Sequence, residues 1–343
     1  MLNSPYITKP ASVSAVMFKV LAALLPGIAA YVWFFGAGIL LQIALASITA
    51  LAAEAAVLAM RGKPLGLFLK DGSALVTAWL IALTFPSIAP WWLIVLGVLV
   101  AIVVAKHLYG GLGQNPFNPA MVAFCVMIVA YPQLMSQWPA AGFTDFAAEF
   151  RAIFGADRHL DAIVMATPLD ALRTVLRLPE TRATVEGVLG SNATFGNIGG
   201  RGWEWVALGY LAGGLWLIQQ GVISWRVPTA FLATLGLISG AFALVDATQY
   251  AGPTFHLFTG GAMLGAFFIA TDPVSGATTV RGQIIFAAGI ALLTWIIRTF
   301  GAYPDGIAFA TLLMNICVPL IDMRTQRPVF GRKTGKTPDG RQP

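Results

Sequence analysis

The sequence has few charged residues and few of the residue types that build soluble active sites. Only 10% of its 343 residues are charged, and it contains three histidines and two cysteines. Both cysteines, Cys125 and Cys317, lie in apolar runs, so a four-cysteine iron–sulfur site is excluded and a structural disulfide is not expected. An ordinary soluble domain is also excluded, because 57% of the residues are hydrophobic.

Long apolar runs take the place of the missing charges. A helix needs about 20 apolar residues to cross a hydrocarbon core of about 30 Å, and its backbone groups must be paired within the segment. The predicted spans are 14–34, 38–60, 72–87, 90–108, 119–137, 203–220, 227–245, 254–271, 283–299 and 303–321. The fold class is therefore an all-α polytopic membrane protein with about ten transmembrane helices.

Basic residues are distributed unevenly between the two faces that ten spans create. Most of the 21 lysines and arginines, Lys106 among them, fall in the N-terminal segment, the loops on its side and the tail, whereas the short loops of the other face hold only Arg298. The positive-inside rule then predicts a bacterial inner-membrane protein with both termini cytoplasmic and a periplasmic 138–202 loop. Insertion accounts for the net charge of +6, so no nucleic-acid partner is expected.

The two halves of the chain resemble each other weakly. Segment 73–82 aligns with 261–270, and the pair Cys125-Val126 recurs as Cys317-Val318. A unit of five spans has an odd number of crossings, so the second copy would insert inverted. The predicted parts are a first membrane repeat (1–137), the periplasmic loop (138–202), a second repeat (203–321) and a basic cytoplasmic tail (322–343).

Two segments rich in glycine and proline, 110–119 and 271–279, are candidate helix interruptions. Interrupted helices in inverted-repeat membrane proteins place binding sites near the bilayer midplane, where the half-helix ends carry partial charges. The alternative for each segment is an ordinary tight turn between two spans.

The pattern at which flavin transferases attach FMN to a threonine occurs at two places in the chain. Segment 272–278 matches it at every position and ends at Thr278, whereas 161–167 keeps only its Asp, its Ala and Thr167. Such transferases act outside the cytoplasmic membrane, where the predicted topology places Thr167 but not Thr278. Thr167 is therefore the predicted site of a covalent FMN phosphoester. The alternatives are Thr278 and no flavin.

From about residue 12 to 322 the sequence resembles the family of the D subunits of the Rnf electron-transport complex, which is related to the B subunits of the sodium-pumping NADH:quinone reductase. The matching motifs are Lys-His-Leu-Tyr-Gly-Gly-Leu-Gly-Gln-Asn-Pro-Phe-Asn-Pro-Ala-Met at 106–121, Met-Ala-Thr-Pro-Leu-Asp at 165–170, Phe-Ile-Ala-Thr-Asp-Pro-Val-Ser at 268–275 and Pro-Asp-Gly-Ile-Ala-Phe-Ala at 304–310.

The resemblance implies that Thr167, in the second motif, carries the FMN and that 272–275 is a scaffold motif. It further implies a complex with the A, B, C, E and G subunits that passes electrons between ferredoxin and NAD, coupled to Na+ or H+ translocation. A flavin transferase and a second, non-covalent flavin such as riboflavin are implied as well. This chain would be one relay station without a complete active site.

Five more polar residues are candidates for the second flavin site or the ion pathway: Asn115, Asn118, Asp272, Asp305 and Glu54. Charged residues inside spans are costly and often functional, so Glu54 either lines an ion pathway or pairs with Lys or Arg near the interface. Asp272 and Asp305 are expected to cap helix ends, and the alternative for each is that it binds a cation. Asn115 and Asn118 either bind a flavin ring or close a turn.

Two smaller predictions concern the histidines and the long loop. His107 and His256 have no second ligand at metal spacing, so hydrogen bonding is expected and no metal site is predicted. Segment 168–178 has the spacing of an amphipathic helix that lies on the membrane surface or on a partner subunit.

The main alternative function is a transporter or channel that uses the same inverted repeat without any redox role. The spans, the repeat and the interruptions would serve it equally well, and only the Thr167 motif and the family resemblance argue against it. A scaffold subunit that has lost its flavin is a third possibility.

Overall fold

A computed structural model describes residues 12–155, 163–177, 183–191, 194–196 and 198–326. The helices are α1 (Val13–Phe35), α2 (Gly38–Met60), α3 (Leu65–Phe68), α4 (Ser73–Thr84), α5 (Trp91–Leu99), α6 (Pro119–Ala130), α7 (Pro132–Met135), α8 (Phe146–Phe154), α9 (Pro168–Arg177), α10 (Val185–Ser191), α11 (Trp203–Gln219), α12 (Arg226–Val245), α13 (Pro253–Phe258), α14 (Ala262–Leu264), α15 (Val280–Phe300) and α16 (Ile307–Thr325). Leu69–Asp71 forms a 3₁₀ turn, and Val100–His107 and Gly265–Ile269 are π-helical. Strands β1 (Trp138–Pro139) and β2 (Val164–Met165) pair antiparallel.

The helical, polytopic fold class is confirmed. Helices α1, α2, α12, α15 and α16 are each long and apolar enough to cross a membrane, and shorter apolar helices fill the other predicted spans. The fifth predicted span, 119–137, ends early as a helix because Pro132 lacks an amide N–H and begins the separate turn α7. The last helix, α16, continues past the predicted end at 321 to Thr325.

The eighth predicted span, 254–271, is broken rather than continuous. Helix α13 ends at Phe258 and α14 begins at Ala262, with Gly260 between them at a φ of +60°. This left-handed backbone suits glycine because it has no Cβ to clash. The segments 110–119 and 271–279, proposed as interruptions, instead connect successive helices at one end of the bundle.

Hydrogen bonds define two opposite ends of the helix bundle. At the end that we call the terminal end, Ser14 donates to the carbonyl of Lys70, and Thr278 donates to Asp322. At the other, which we call the loop end, the segments between α6 and α11 contact the helix ends, and the Gly142 N–H donates to the Phe34 carbonyl. Functional groups at the two ends are therefore separated by the length of the bundle.

Helices α1 and α11 pack through glycines at very close range. A Cβ on Gly213 would lie 1.8 Å from the carbonyl oxygen of Ala23, and one on Gly209 would lie 2.7 Å from the Cα of Gly27. Gly209 and Gly213 are four residues apart and so share one face of α11, the small-residue spacing that lets membrane helices approach closely. This seam joins the first helices of the two halves.

Replacing Gly213 with alanine is expected to destabilise the protein by about 1–3 kcal/mol, because the added methyl group must push α1 and α11 apart. Thermal unfolding in detergent measures the loss. Gly66→Ala is the matched control, since a Cβ there meets nothing within 4 Å. Equal unfolding temperatures for the two variants would contradict the packing.

Equivalent helices pack together in both halves. Helix α2 packs on α4 and α5 just as α12 packs on α13 and α15, and α5 continues into a π-helix that packs on α6 just as α15 packs on α16. The first helices of the halves contact each other, and so do the last, α6 and α16. This pattern of partners is the one expected from the predicted five-helix repeat.

Candidate functional site

Thr167 lies at the junction between β2 and α9. Met165 pairs with Trp138 across the two strands, and Thr167 follows two residues later. The Thr167 carbonyl accepts the Ala171 N–H at 2.8 Å, and its Oγ1 accepts the Asp170 N–H at 3.3 Å. These are the bonds of an N-cap residue. The hydroxyl of Thr167 therefore lies half-buried at the N-terminus of a ten-residue helix.

Helix α9 is fixed to the membrane bundle of its own chain. Its apolar face buries Leu169 and Leu172. On the other face, Arg173 donates to the Ala302 carbonyl at 2.5 Å, and Arg177 donates to the carbonyls of Thr299 and Gly301, each at 3.0 Å. The amphipathic helix is thus confirmed, but it packs over the C-terminus of α15, where cations stabilise the last carbonyls.

A large cavity, which we call the outer cavity, opens beside Thr167 at the loop end. It encloses about 1160 Å³, counting its open mouth. Thr167, Leu169 and Asp170 form part of its rim. Its walls come from both halves of the chain and include Tyr31, Leu83, Thr84, Met121, Phe124, Ile128, Trp203, Tyr210, Leu264, Asp305 and Ile307. The break between α13 and α14 also lines it, with Gly260 and Gly261.

An aromatic cluster lies under this rim. The ring centroid of Trp203 lies 4.6 Å from that of Phe35, 5.3 Å from that of Trp138 and 5.9 Å from that of Tyr31. Next to the cluster, Thr167 and Arg201 line a small recess together. The recess thus combines a hydroxyl at a helix N-terminus, flat apolar rings and an exposed guanidinium.

Thr278, the competing threonine, lies at the opposite end of the bundle from Thr167. Its hydroxyl donates to the Asp322 carboxylate at 2.8 Å, and its N–H lies 3.1 Å from both carboxylate oxygens. The connection before α15 is short and held by these bonds. Thr278 is exposed, but its hydroxyl already has a charged partner.

A second cavity, which we call the inner cavity, lies at the terminal end. It encloses about 900 Å³ and takes walls from α1, α4, α6, α11 and the end of the broken helix. Three of the predicted polar residues, Asn115, Asn118 and Asp272, line it together with Lys106. The helices that line the outer cavity include those at the corresponding positions of the opposite half: α11 for α1, α14 for α4 and α16 for α6. Exchanging the two halves of the chain would therefore exchange the two cavities.

A buried polar network joins the two connections beside the inner cavity. The side chain of Asn118 accepts the N–H groups of Ala120 and Met121 as the N-cap of α6 and donates to Asp272 at 3.4 Å. Asn315 on α16 accepts the Asn118 N–H at 3.2 Å and donates to the Ser275 carbonyl at 2.9 Å. Asp272 and Asn118 therefore meet, and Asn315 is a member that sequence reasoning missed.

Glu54 forms a buried ion pair with Lys106. Its Oε1 lies 2.5 Å from the ammonium of Lys106 and 3.4 Å from Nε2 of His107. The ammonium of Lys106 also donates a hydrogen bond to Ser73 at 2.8 Å. Lys106 is only 2% exposed. Its assignment to a cytoplasmic loop was therefore wrong, since it lies in the π-helical segment that ends at His107.

Arg298 is the corresponding buried base at the loop end. It lies beside Asp305, with Nε 3.2 Å from Oδ1, and donates to the carbonyls of His256 and Thr259 before the helix break. Asp305 in turn accepts the Gly261 N–H at 2.8 Å and the Ile307 N–H at 3.3 Å. Asp305 thus braces the break and the start of α16.

Glu149, on α8, was not singled out from the sequence but is fully buried. Its Oε2 accepts the Gly38 N–H at 2.9 Å, so it caps the N-terminus of α2 from outside that helix. Burial raises the pKa of Glu149 to about 7, against the opposing effect of backbone N–H groups of Gly38 and Ala37. A polar residue in the amphipathic run 146–154 was its only sequence signal.

The sequence was compared with known protein families and with individual proteins. Residues 1–331 match the model of the NQR2, RnfD, RnfE family. The chain belongs to that family. It is 46% identical over 349 residues to the D subunit of the ion-translocating oxidoreductase complex of Shigella boydii serotype 18, and equally to those of Escherichia coli strains SE11 and O1:K1 / APEC. Each alignment covers 97% of this chain and 98% of the relative.

In this member of the NQR2, RnfD, RnfE family, the predicted site residues fall into two groups. Thr167 and Asp305 lie at the outer cavity, whereas Asn115, Asn118 and Asp272 line the inner one, with Glu54 behind Lys106. Asp161, the first residue of the attachment pattern, lies outside the described residues. Within the described part of the chain, no group of three or more His, Cys, Asp or Glu residues is placed to hold a metal ion.

Proposed function

We propose that this chain is the membrane flavoprotein subunit of an ion-translocating ferredoxin:NAD+ oxidoreductase complex, with FMN bound to Thr167 through a phosphoester. The observation that carries the proposal is the position of the Thr167 hydroxyl, which lies half-buried at a helix N-terminus and on the rim of a large aromatic-walled cavity. Its relatives are named as the D subunit of an ion-translocating oxidoreductase complex.

The surroundings of Thr167 suit a phosphate. The N-terminus of a helix attracts anions through its free N–H groups and its dipole, and α9 begins at Pro168 directly after the hydroxyl. Arg201 lines the adjoining recess and supplies a positive charge. Asp170 opposes it with a negative charge in the first turn, but its carboxylate lies 4.0 Å from Arg173.

The outer cavity suits the ring system of a flavin. Ligand cavities are mostly apolar with few polar groups, and this one has aromatic and aliphatic walls with Asp305 and the Gly261 backbone among them. FMN supplies one- and two-electron transfer. The protein's part is to hold the tethered group at fixed distance from the next redox centre and to exclude water from its apolar side.

The inner cavity is the proposed place for a second, non-covalent flavin such as riboflavin. Asn115 and Asn118 offer amide groups on its wall, and Lys106 offers a charge held by Glu54. Its correspondence with the outer cavity supports a duplicated, inverted unit, in which one kind of site is built twice. Electrons would then pass between two ends of one chain.

In this proposal, the terminal end faces the cytoplasm and the loop end faces the periplasm of the bacterial inner membrane. Arg61, Lys63, Lys70, Arg226, Arg281 and Arg324 lie at or near the terminal end, as the positive-inside rule requires. The chain would assemble with the A, B, C, E and G subunits of the Rnf complex and couple electron transfer to Na+ or H+ translocation. A flavin transferase would load Thr167 from the periplasm.

In-gel fluorescence after denaturing electrophoresis tests the flavoprotein hypothesis against the transporter hypothesis. The protein is produced in its membrane with the flavin transferase, and a parallel sample is made without the transferase. A fluorescent band of about 36 kDa that depends on the transferase is expected. A chain that never fluoresces would favour an inverted-repeat transporter, channel or scaffold without a redox role.

A further inference from the structure

A third cavity, which we call the lateral cavity, lies at the loop end. Its walls come from α9, the connection between α12 and α13, α13 itself and the C-terminus of α15, and it encloses about 870 Å³, counting its open mouth. Leu169 lines both this cavity and the outer cavity. None of the predicted site residues lines the lateral cavity, so the proposed flavin sites leave it without a ligand.

The charged lining of the lateral cavity is mainly positive. Among the described residues, three arginines line it, Arg173, Arg177 and Arg298, against one carboxylate, that of Asp246. The Asp246 carboxylate is engaged locally, because its Oδ1 accepts the N–H of Thr248 at 2.9 Å and the hydroxyl of Thr248 at 2.6 Å. The walls therefore favour an anionic ligand.

Two polar side chains of the lateral cavity keep unused hydrogen-bonding groups. Arg177 is exposed, and its Nη2 donates to the Thr299 and Gly301 carbonyls, whereas within the described part of the chain its Nε and Nη1 bond to nothing. His256 is only 7% exposed, and its buried Nδ1 has no partner among the described residues. With the ring proton on Nδ1, this imidazole can donate to an oxygen of a ligand. A buried polar atom without a partner is costly.

The other walls are apolar, and the mouth lies where two membrane spans end. Leu172 and Leu176 line the cavity from α9. Phe300, the last residue of α15, also lines it and is 59% exposed. Leu244 and Val245, the last residues of α12, are 91% and 82% exposed. Since α12 and α15 are both long and apolar enough to cross a membrane, the cavity lies at the level of lipid headgroups, beside an exposed apolar surface.

We propose that the lateral cavity binds one anionic phospholipid from the leaflet at the loop end. The phosphate accepts charge-assisted hydrogen bonds from Arg173 and Arg177, whose guanidinium groups suit phosphate geometry. His256 donates to a second oxygen of the headgroup, and an acyl chain lies along Leu176 and Phe300. A free phosphate ion could use the same arginines, but it would leave the apolar walls uncovered. The proposal does not depend on a flavin at Thr167.

Native mass spectrometry of the delipidated, full-length chain in detergent tests the site. The wild type is expected to bind a first phosphatidylglycerol at least about fivefold more tightly than phosphatidylcholine, which has no net charge. Arg177→Gln should weaken phosphatidylglycerol binding by about tenfold, the value of one charge-assisted hydrogen bond. Arg151→Gln is the matched control, because Arg151 is exposed on α8 at the same end and does not line the cavity. This control should bind like the wild type.

Further variants separate lipid binding from the packing of α9. Arg177→Lys loses the fork that holds two carbonyls but keeps the charge, so it should retain most of the preference for phosphatidylglycerol. His256→Phe keeps a ring of similar shape and should bind about threefold to tenfold more weakly. Equal affinity in the wild type and Arg177→Gln would overturn the proposal, and so would equal binding of the two lipids. Displacement of the lipid by inorganic phosphate would assign the site to a free ion instead.

Photo-cross-linking in the membrane tests the occupant of the cavity in the assembled complex. A benzophenone side chain in place of Phe300 lies at the mouth, where it should become linked to phospholipid and add the mass of one lipid to its peptide. A cross-link to another subunit or to a second copy of this chain would overturn the lipid as occupant. Because neither experiment measures flavin, failure of this proposal and failure of the proposed function are distinguishable.

Discussion

Replacing Thr167 with alanine is expected to abolish covalent flavin on this chain and to remove its in-gel fluorescence completely. The hydroxyl of Thr167, in the predicted attachment motif, lies on the rim of the outer cavity, whereas Thr278 lies at the far end with its hydroxyl bonded to Asp322. Tethering raises effective affinity by about 10²–10⁴-fold. Occupancy of the outer cavity by flavin should therefore fall, and electron transfer through the complex should fall with it.

Loss of a helix cap could imitate part of this effect, because an N-cap threonine stabilises its helix by about 1 kcal/mol. Thr167→Asn separates the two roles. Asparagine caps helices as well as threonine does, but it has no hydroxyl for a phosphoester. The asparagine variant should fold like the wild type and remain non-fluorescent, whereas Thr167→Ser should cap the helix and keep the flavin.

Thr278→Val provides the reciprocal variant. It removes one of the hydrogen bonds to Asp322, so a small loss of stability is expected, but the flavin should stay. Retained fluorescence in Thr167→Ala together with its loss in Thr278→Val would assign the flavin to Thr278. It would then place the terminal end on the periplasmic side of the membrane.

Removing Glu54 alone is expected to be the most destabilising single change among the residues discussed. In Glu54→Leu the buried ammonium of Lys106 keeps only Ser73 as its hydrogen-bond partner. Breaking one side of a buried ion pair costs about 3–5 kcal/mol, whereas replacing both partners with apolar groups is often neutral. The double variant Glu54→Leu/Lys106→Met should therefore recover most of the stability, as thermal unfolding in detergent would show.

The same pair of variants decides between the two hypotheses for Glu54. If the pair is only structural, the stable double variant should support ion-coupled electron transfer in the complex at the wild-type ratio of ions to electrons. If Glu54 lies on the ion pathway, the double variant should fold and carry flavin but lose coupling. A double variant as unstable as Glu54→Leu would contradict the ion-pair account itself.

The apolar runs alone predicted the helical class because membrane helices are set by length and composition. The attachment motif gave no indication that Thr167 is an N-cap residue, but the amphipathic spacing of 168–178 predicted the helix that follows it. Helix formation in the apolar runs and in segment 168–178 depends on residues close together in the chain, so a single sequence contains the information needed to predict these helices.

Features formed between distant segments could not be predicted in the same way. Asn118 and Asp272 are 154 residues apart, and their contact depends on the packing of α6 against α16. Lys106 was interpreted as a loop residue because a basic side chain after an apolar run usually marks its end, and only the buried partner Glu54 reverses that interpretation. The sequence signal for the helix break at Gly260 is the Gly260-Gly261 pair. It was missed because the residues around the pair are apolar enough to be interpreted as one continuous span.

Peptide mass spectrometry of the chain, produced in its membrane with the flavin transferase, tests the central claim most directly. Peptides containing Thr167 and Thr278 are compared with and without the transferase. The proposed function predicts the mass of an FMN phosphoester on the Thr167 peptide only, and only when the transferase is present. An unmodified Thr167 peptide from a fully folded, transferase-exposed chain would contradict it.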